Sequence, residues 1–222
     1  MKKYVWLPLI FLLTFQLACA VSLPSSKTGS GKIVTIEEAF SDFDSLDISH
    51  TFKVEVVQGD TYDVVLHIDD NFVDDLEIVQ QGAVLRIGLK PDFRGGITNA
   101  TLEAKITMPD LSGIEVSGAS QAELRGFASN SPFAGEVSGA GSAELSGHGD
   151  GLTADVSGGS SVDLADYPVT DALIDASGAS SVTVYVSGTL SASASGASSV
   201  QYLGDPTLGS IDISGASNVS PE

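Results

Sequence analysis

The chain is poor in cysteine, in basic residues and in aromatics. Of its 222 residues one is Cys, one is Trp, ten are Lys or Arg, and aromatics make up 7%. A single Cys, Cys19, excludes an internal disulfide framework. So few cations against 29 acids, a formal charge of −19, exclude nucleic acid as a partner, because phosphates repel carboxylates. The same balance excludes a polybasic mode of membrane binding. Apolar runs long enough to span a bilayer are also missing. The one greasy stretch, Tyr4 to Leu13, follows Lys2 and Lys3 and precedes small residues around Cys19, so 1–18 reads as a secretory signal.

Cys19 then needs a use. One use is lipidation: Ala18 suits the position before a lipoprotein Cys, although Gln16 stands where Leu is usual. The other reading is ordinary cleavage after the small-x-small run Ala18-Cys19-Ala20. Incorporation of labelled palmitate, lost in Cys19→Ala, separates the two. The expectation carried forward is an exported, lipid-anchored envelope protein, with a periplasmic or secreted one as the alternative. Residues 19–39, Ser- and Gly-rich at their start, are expected as a flexible tether, and 40–222 as one domain.

What the chain does have is alternation and repetition. From Phe43 to Pro109 apolar and polar residues alternate, as in Phe52-Lys53-Val54-Glu55-Val56 and Ala83-Val84-Leu85-Arg86-Ile87. A period of two predicts strands with one buried face. The segment 69–78, DDNFVDDLEI, predicts a brief helical turn capped by Asp70 or Asn71.

From Leu111 onward one phrase recurs: EVSGASQAEL at 115–124, EVSGAGSAEL at 136–145, DVSGGSSVDL at 155–164. Its glycine falls at Gly118, Gly139, Gly158, Gly178, Gly196 and Gly215, spaced by 21, 19, 20, 18 and 19 residues. A period near twenty predicts a solenoid whose windings stack. Low-complexity disorder would not hold apolar residues in register, and here they are held: Ile114/Val116, Ala154/Val156 and Ile174/Ala176 before the Ser-Gly, Ala122/Leu124, Val162/Leu164 and Val182/Val184 after it. Two short strands per winding and a tight corner follow. The glycine column predicts a corner that needs positive φ or close backbone approach. The serine before it, Ser117 through Ser214, predicts a column of hydroxyls that bond one another. The fold expected is all-β: a right-handed parallel β-solenoid (β-helix) over 111–222, about six windings, preceded by an alternating β-strand region.

Acids between the apolar positions predict two outward columns. One is Glu115, Glu136, Asp155, Asp175, Ser193, Asp212; the other is Glu123, Glu144, Asp163, Thr183, Gln201. Charges on an exposed sheet discourage pairing between molecules. The competing reading is a Ca²⁺ face, but Ca²⁺ takes six to eight converging oxygens and a ladder does not converge. The acid-rich 69–75 lacks the spacing of an EF-hand loop. No cofactor or resident metal is expected.

Catalytic constellations are thin. His50, His67 and His148 have no metal-ligand spacing. The serines recur too evenly for one activated nucleophile. With Arg125 the sole cation after residue 111, an anionic polysaccharide would be repelled. The longest loops, 125–133 and 165–172, carry Phe127, Phe133 and Tyr167, which either present rings to a sugar or protein or cap the core beneath.

The run from FDSLDISHTFKVEVVQGD through ITMPDLSGIEVSGAS into repeated SGAS windings resembles the head GIN domain family of auto-transporter adhesins, over about 40–220. The resemblance implies an all-β, solenoid-like domain on an exported bacterial envelope protein. It brings no catalytic residues. The chain carries no translocating barrel, so the lipid anchor would take that role. The function expected is a non-catalytic surface module for adhesion or for recognition of a glycan or protein. The alternatives are a β-helix enzyme on neutral polysaccharide and a structural envelope protein that associates with itself through its solenoid ends.

Overall fold

A computed structural model describes residues 26–222. The signal, the lipidation site and the first part of the tether lie outside these residues. Among the described residues no helix is long and apolar enough to cross a membrane.

The domain is a flattened parallel coil with two principal sheets. Each winding places one strand in a nine-stranded sheet and the next in a ten-stranded sheet. Seven windings follow one another along the axis. On the nine-stranded side they are Ser45–Ile48, Gly113–Val116, Phe133–Val137, Gly151–Val156, Asp171–Ala176, Thr189–Ala194 and Thr207–Ile213. Their partners on the ten-stranded side are Lys53–Gln58, Gln121–Ala128, Ser142–His148, Ser161–Val169, Ser181–Val186, Ser199–Leu203 and Asn218–Pro221. The alternation explains the burial. Ile114, Val116, Ala122 and Leu124 point between the sheets, and so do Ile174, Ala176, Val182 and Val184. The parallel β-solenoid is therefore present, with one more winding than the repeat predicts.

The extra winding is the first. Ser45–Ile48 pairs in register with Gly113–Val116, and Lys53–Val57 with Gln121–Arg125. Its text, LDISHTFKVEV, keeps the acids and the inward pairs. It departs from the repeat at the corner, where His50 stands in the glycine column and Phe52 in the following inward serine column. The excursion 59–110 is inserted between the first winding and the second. It returns two strands, Val84–Leu89 and Leu102–Met108, parallel to the first winding on its outer side. Antiparallel strands then close that end: Leu76–Gln81 on one sheet, Asp63–Asp69 and Ile33–Glu38 on the other.

Ile33–Glu38 corrects the tether reading for its second part. IVTIEE alternates, and it adds to Asp63–Asp69 over six residue pairs. Its approach is fixed by Asp69, a buried carboxylate. Asp69 accepts hydrogen bonds from the Gly31 N–H (2.6 Å), the Thr101 N–H (2.7 Å) and the Ser30 hydroxyl (3.3 Å). The helical turn is a 3₁₀ segment, Asp70–Asp75, whose cap position is Asp69 instead of Asp70 or Asn71. Asp69 uses its side chain on Ser30, Gly31 and Thr101, leaving the turn without a side-chain cap.

Candidate functional site

The corner comes first, because it sets the register of everything outward. All six repeat glycines have φ between +74° and +80°. A Cβ on Gly139, Gly158, Gly178, Gly196 or Gly215 would lie 2.5–2.6 Å from the carbonyl oxygen of the glycine one winding below. Both expected reasons for glycine hold together. The corners are also joined by backbone hydrogen bonds: the Ala140 N–H donates to Gly118 O (2.7 Å), Gly159 to Gly139 (2.8 Å), Ala179 to Gly158 (2.7 Å). His50 adopts the same conformation at φ +73°. Its Nδ1 accepts from the Leu89 N–H at 3.2 Å. Burial holds its pKa below the usual 6.5, against the opposing charge of Glu77. A neutral ring protonated on Nε2 fits both facts.

The hydroxyl bonding falls on another column than the one expected. Ser117 and its equivalents join windings through their backbone N–H groups. The serine three residues later points inward and is buried: Ser120, Ser160, Ser180 and Ser198. Ser160 donates to Ser157 O at 2.8 Å, and Ser198 lies 3.0 Å from both Ala176 O and Ser195 O. Among the described residues, the Ser120 and Ser180 hydroxyls have no partner.

Both acid columns are in register. On the nine-stranded face Asp47, Glu115, Glu136, Asp155, Asp175, Ser193 and Asp212 pair in sequence. The column begins with Arg86, paired across from Asp47, and its Nε donates to Asp47 Oδ2 at 2.6 Å. On the ten-stranded face Glu55 starts the acids, with Lys105 before it at 3.9 Å. Arg125 spans Glu55 (3.1 Å) and Glu123. Each row of carboxylates thus meets a cation at its start. The insertion supplies both Arg86 and Lys105.

Repulsion persists in the middle of the first row. Glu115 has its carboxyl raised above the usual 4.5 by partial burial, and further by Asp47 and Glu136 on either side. Beside it the face is hollowed, because Gly113 and Ala134 in the neighbouring outward column carry little or no side chain. The resulting groove is about 490 Å³, lined also by Arg86, Thr153 and Asp155. A smaller groove of about 290 Å³ crosses the ten-stranded face, between the column Lys53, Gln121, Ser142, Ser161 and the acids Glu123, Glu144, Asp163. Tyr185 stands outward on that face at the next winding, among the exposed large side chains. The loop-centred reading of the sequence missed it. Alternation marks it, since it follows inward Val182 and Val184.

Phe127, Phe133 and Tyr167 are 3%, 4% and 1% exposed. Phe133 and Tyr167 meet edge to face, with ring centroids 6.1 Å apart. The structure brings two of the loop aromatics together, but as a cap over the core. His67 sits on the exposed side of its strand, 3.2 Å from Thr35 Oγ1. Within 69–75, Asp70 is engaged by Ser30 and Lys32, and Asp75 by Lys27. The Ser30 hydrogen bond, then Lys32, hold the Asp70 carboxyl below its usual range. Among the described residues, no group of three or more His, Cys, Asp or Glu is placed to hold a metal ion.

The family described as "Putative auto-transporter adhesin, head GIN domain" matches residues 42–206. Among curated proteins none matches the chain. Similar solved structures include a "putative adhesin" of Bacteroides fragilis NCTC 9343, at TM-score 0.72 and 16% identity, over 89% of this chain and 100% of that one. Another is a "putative adhesin" of Parabacteroides merdae ATCC 43184, at TM-score 0.59 and 16% identity, over 89% and 99%. A third, a "Putative lipid binding protein" of Parabacteroides distasonis ATCC 8503, matches at TM-score 0.52 and 18% identity, over 89% and 100%. At such identities the likeness is one of fold.

Proposed function

We propose, from the premise that this chain belongs to the head GIN domain family of auto-transporter adhesins, that it is a non-catalytic surface module that recognises a glycan on its ten-stranded face. The family points to a surface location, and neither its description nor the names of the similar structures are those of enzymes. Tethering through a lipidated Cys19 and windings of right-handed sense, the usual sense of parallel connections, belong to the same reading.

The observation that carries it is the pairing of two different columns in one groove. Gln121, Ser142 and Ser161 offer donors and acceptors, and Glu123, Glu144 and Asp163 offer acceptors two residues away. The repeat is about 4.8 Å, the distance between neighbouring strands. A neutral polyhydroxylated chain can use both columns at once, donating to the carboxylates and exchanging hydrogen bonds with the hydroxyls. Tyr185 gives a ring face for a sugar to lie against. An anionic ligand is disfavoured by the carboxylates.

The test is a glycan array probed with the purified protein, followed by titration of any hit. Retention of neutral glycans is expected, with binding weakened about three- to tenfold in Tyr185→Ala. Release of shorter oligosaccharides from a bound glycan would make the protein an enzyme and end this reading. So would an array on which nothing neutral is held.

A further inference from the structure

We infer that the last winding is a pairing face for a second copy of this chain, the two molecules meeting end to end about a two-fold axis. The two ends of the coil are unlike. The first is closed by Phe43, Phe72 and antiparallel strands. At the other, Thr207–Ile213 and Asn218–Pro221 are the outermost members of their sheets, each paired on one side only. Among the described residues nothing covers the core layer between them. Leu208 and Ile213 are 49% and 45% exposed, whereas Leu190 and Ala194, one winding below, are 0% and 1%. Ile211, Val219 and Tyr202 are half-buried in the same layer.

Shape and charge select the occupant. The face consists of two strand edges with an apolar layer between them. A single extended peptide could add to one edge and would leave the layer wet. A second copy presents both edges and a matching layer at the same spacing. A two-fold rotation turns every edge strand antiparallel to its mate, so both ladders can continue. The acids recede towards this end. Glu123, Glu144 and Asp163 give way to Thr183, Gln201 and Ser220 on the ten-stranded face. A copy carrying −19 meets less repulsion here than over either acid column.

The contact is small. Seven residues at about 3.3 Å each give an edge of about 23 Å. With sheets about 10 Å apart and their outward side chains included, each copy contributes about 500 Å². The total, about 1,000 Å², is near the lower bound for specific pairing. The register shift in Thr207–Ile213 and Pro221, which has no N–H, shorten the usable ladders. A weak dimer is the result.

Sedimentation of the purified protein from about 1 μM to about 500 μM measures it. The mass should rise from one copy to two and stop there. Leu208→Asp with Ile213→Asp should weaken pairing at least about tenfold, whereas Leu173→Asp, at an exposed site on the nine-stranded face, should leave it unchanged. Since residues 126–222 contain no Lys or Arg, the face cannot be held by ion pairs between copies, and added salt should tighten it by screening Asp205, Asp212 and Glu222. Amide exchange in 207–213 of the unaltered protein should slow with concentration, a readout independent of any variant. A mass of one copy throughout, growth beyond two, weakening by salt, or sensitivity to Leu173→Asp alone would each overturn the proposal. With one copy throughout, the face is left to a partner of another sequence. None of these readouts involves a glycan, so the pairing stands or falls apart from the recognition reading.

Discussion

Glu115 shows what a single residue tolerates when it belongs to a row. Its neighbours Asp47 and Glu136 stand directly across on the adjoining strands, where like charges are unfavourable by up to about 1 kcal/mol a pair. Its carboxyl is raised above the usual 4.5, so the folded chain takes up this proton at higher pH than the unfolded chain. The sign follows: the unfavourable contribution is present at neutral pH and fades as pH falls through the folded value towards 4.5. Glu115→Gln should therefore raise stability at pH 7 by about 0.3–1 kcal/mol. Chemical denaturation repeated at lower pH should show the gain shrinking, to nothing below 4.5. A gain that persists at pH 3.5 would mean that packing, and not charge, is responsible.

At the scale of the element, two glycines four residues apart in the sequence behave oppositely. Gly139 is a corner residue with φ +79°, and a Cβ there would stand 2.6 Å from Gly118 O. Gly135 lies mid-strand in an inward column that holds Ile114 and Ala154 on either side. Its Cβ would touch only Phe133 Cε1, at 3.5 Å, beside a small apolar void lined by Leu124, Leu145 and Leu152. Gly139→Ala should cost about 1–3 kcal/mol, and Gly135→Ala should gain about 0.4–1 kcal/mol. Thermal unfolding of the two variants side by side checks both signs. The contrast also marks where the sequence was legible. Register, the two acid columns and the glycine corners followed from periodicity, because columns record contacts that repeat. The first winding did not, since His50 and Phe52 replace the letters that advertise the corner. The loop rings Phe127, Phe133 and Tyr167 did not either. Whether a loop aromatic faces out or in depends on the space beneath it, which no local pattern specifies. Tyr185 was overlooked because it is part of a strand, where alternation was read for its buried members.

The whole molecule is a charged rod with cations at one end. Arg86, Lys105 and Arg125 neutralise the first acids of both columns, and after Arg125 no Lys or Arg follows. Self-repulsion along the rod should therefore be screened by salt. Raising NaCl from about 0.05 M to about 0.5 M, which shortens the Debye length from about 14 Å to about 4 Å, should raise the thermal midpoint. Ca²⁺ at equal ionic strength should do no more than NaCl, because the ladders present carboxylates in a line. A midpoint that rises with Ca²⁺ well beyond matched NaCl would point to coordinated ions instead.

The detour between the first and second windings also has a kinetic side. From the second winding on, bringing neighbours together closes a ring of about twenty residues. Joining Ser45 to Gly113 closes one of 68. On the logarithmic law of ring closure the longer one costs about 1 kcal/mol more. On that law alone, pairing among the later windings is expected to precede docking of the first winding onto the second.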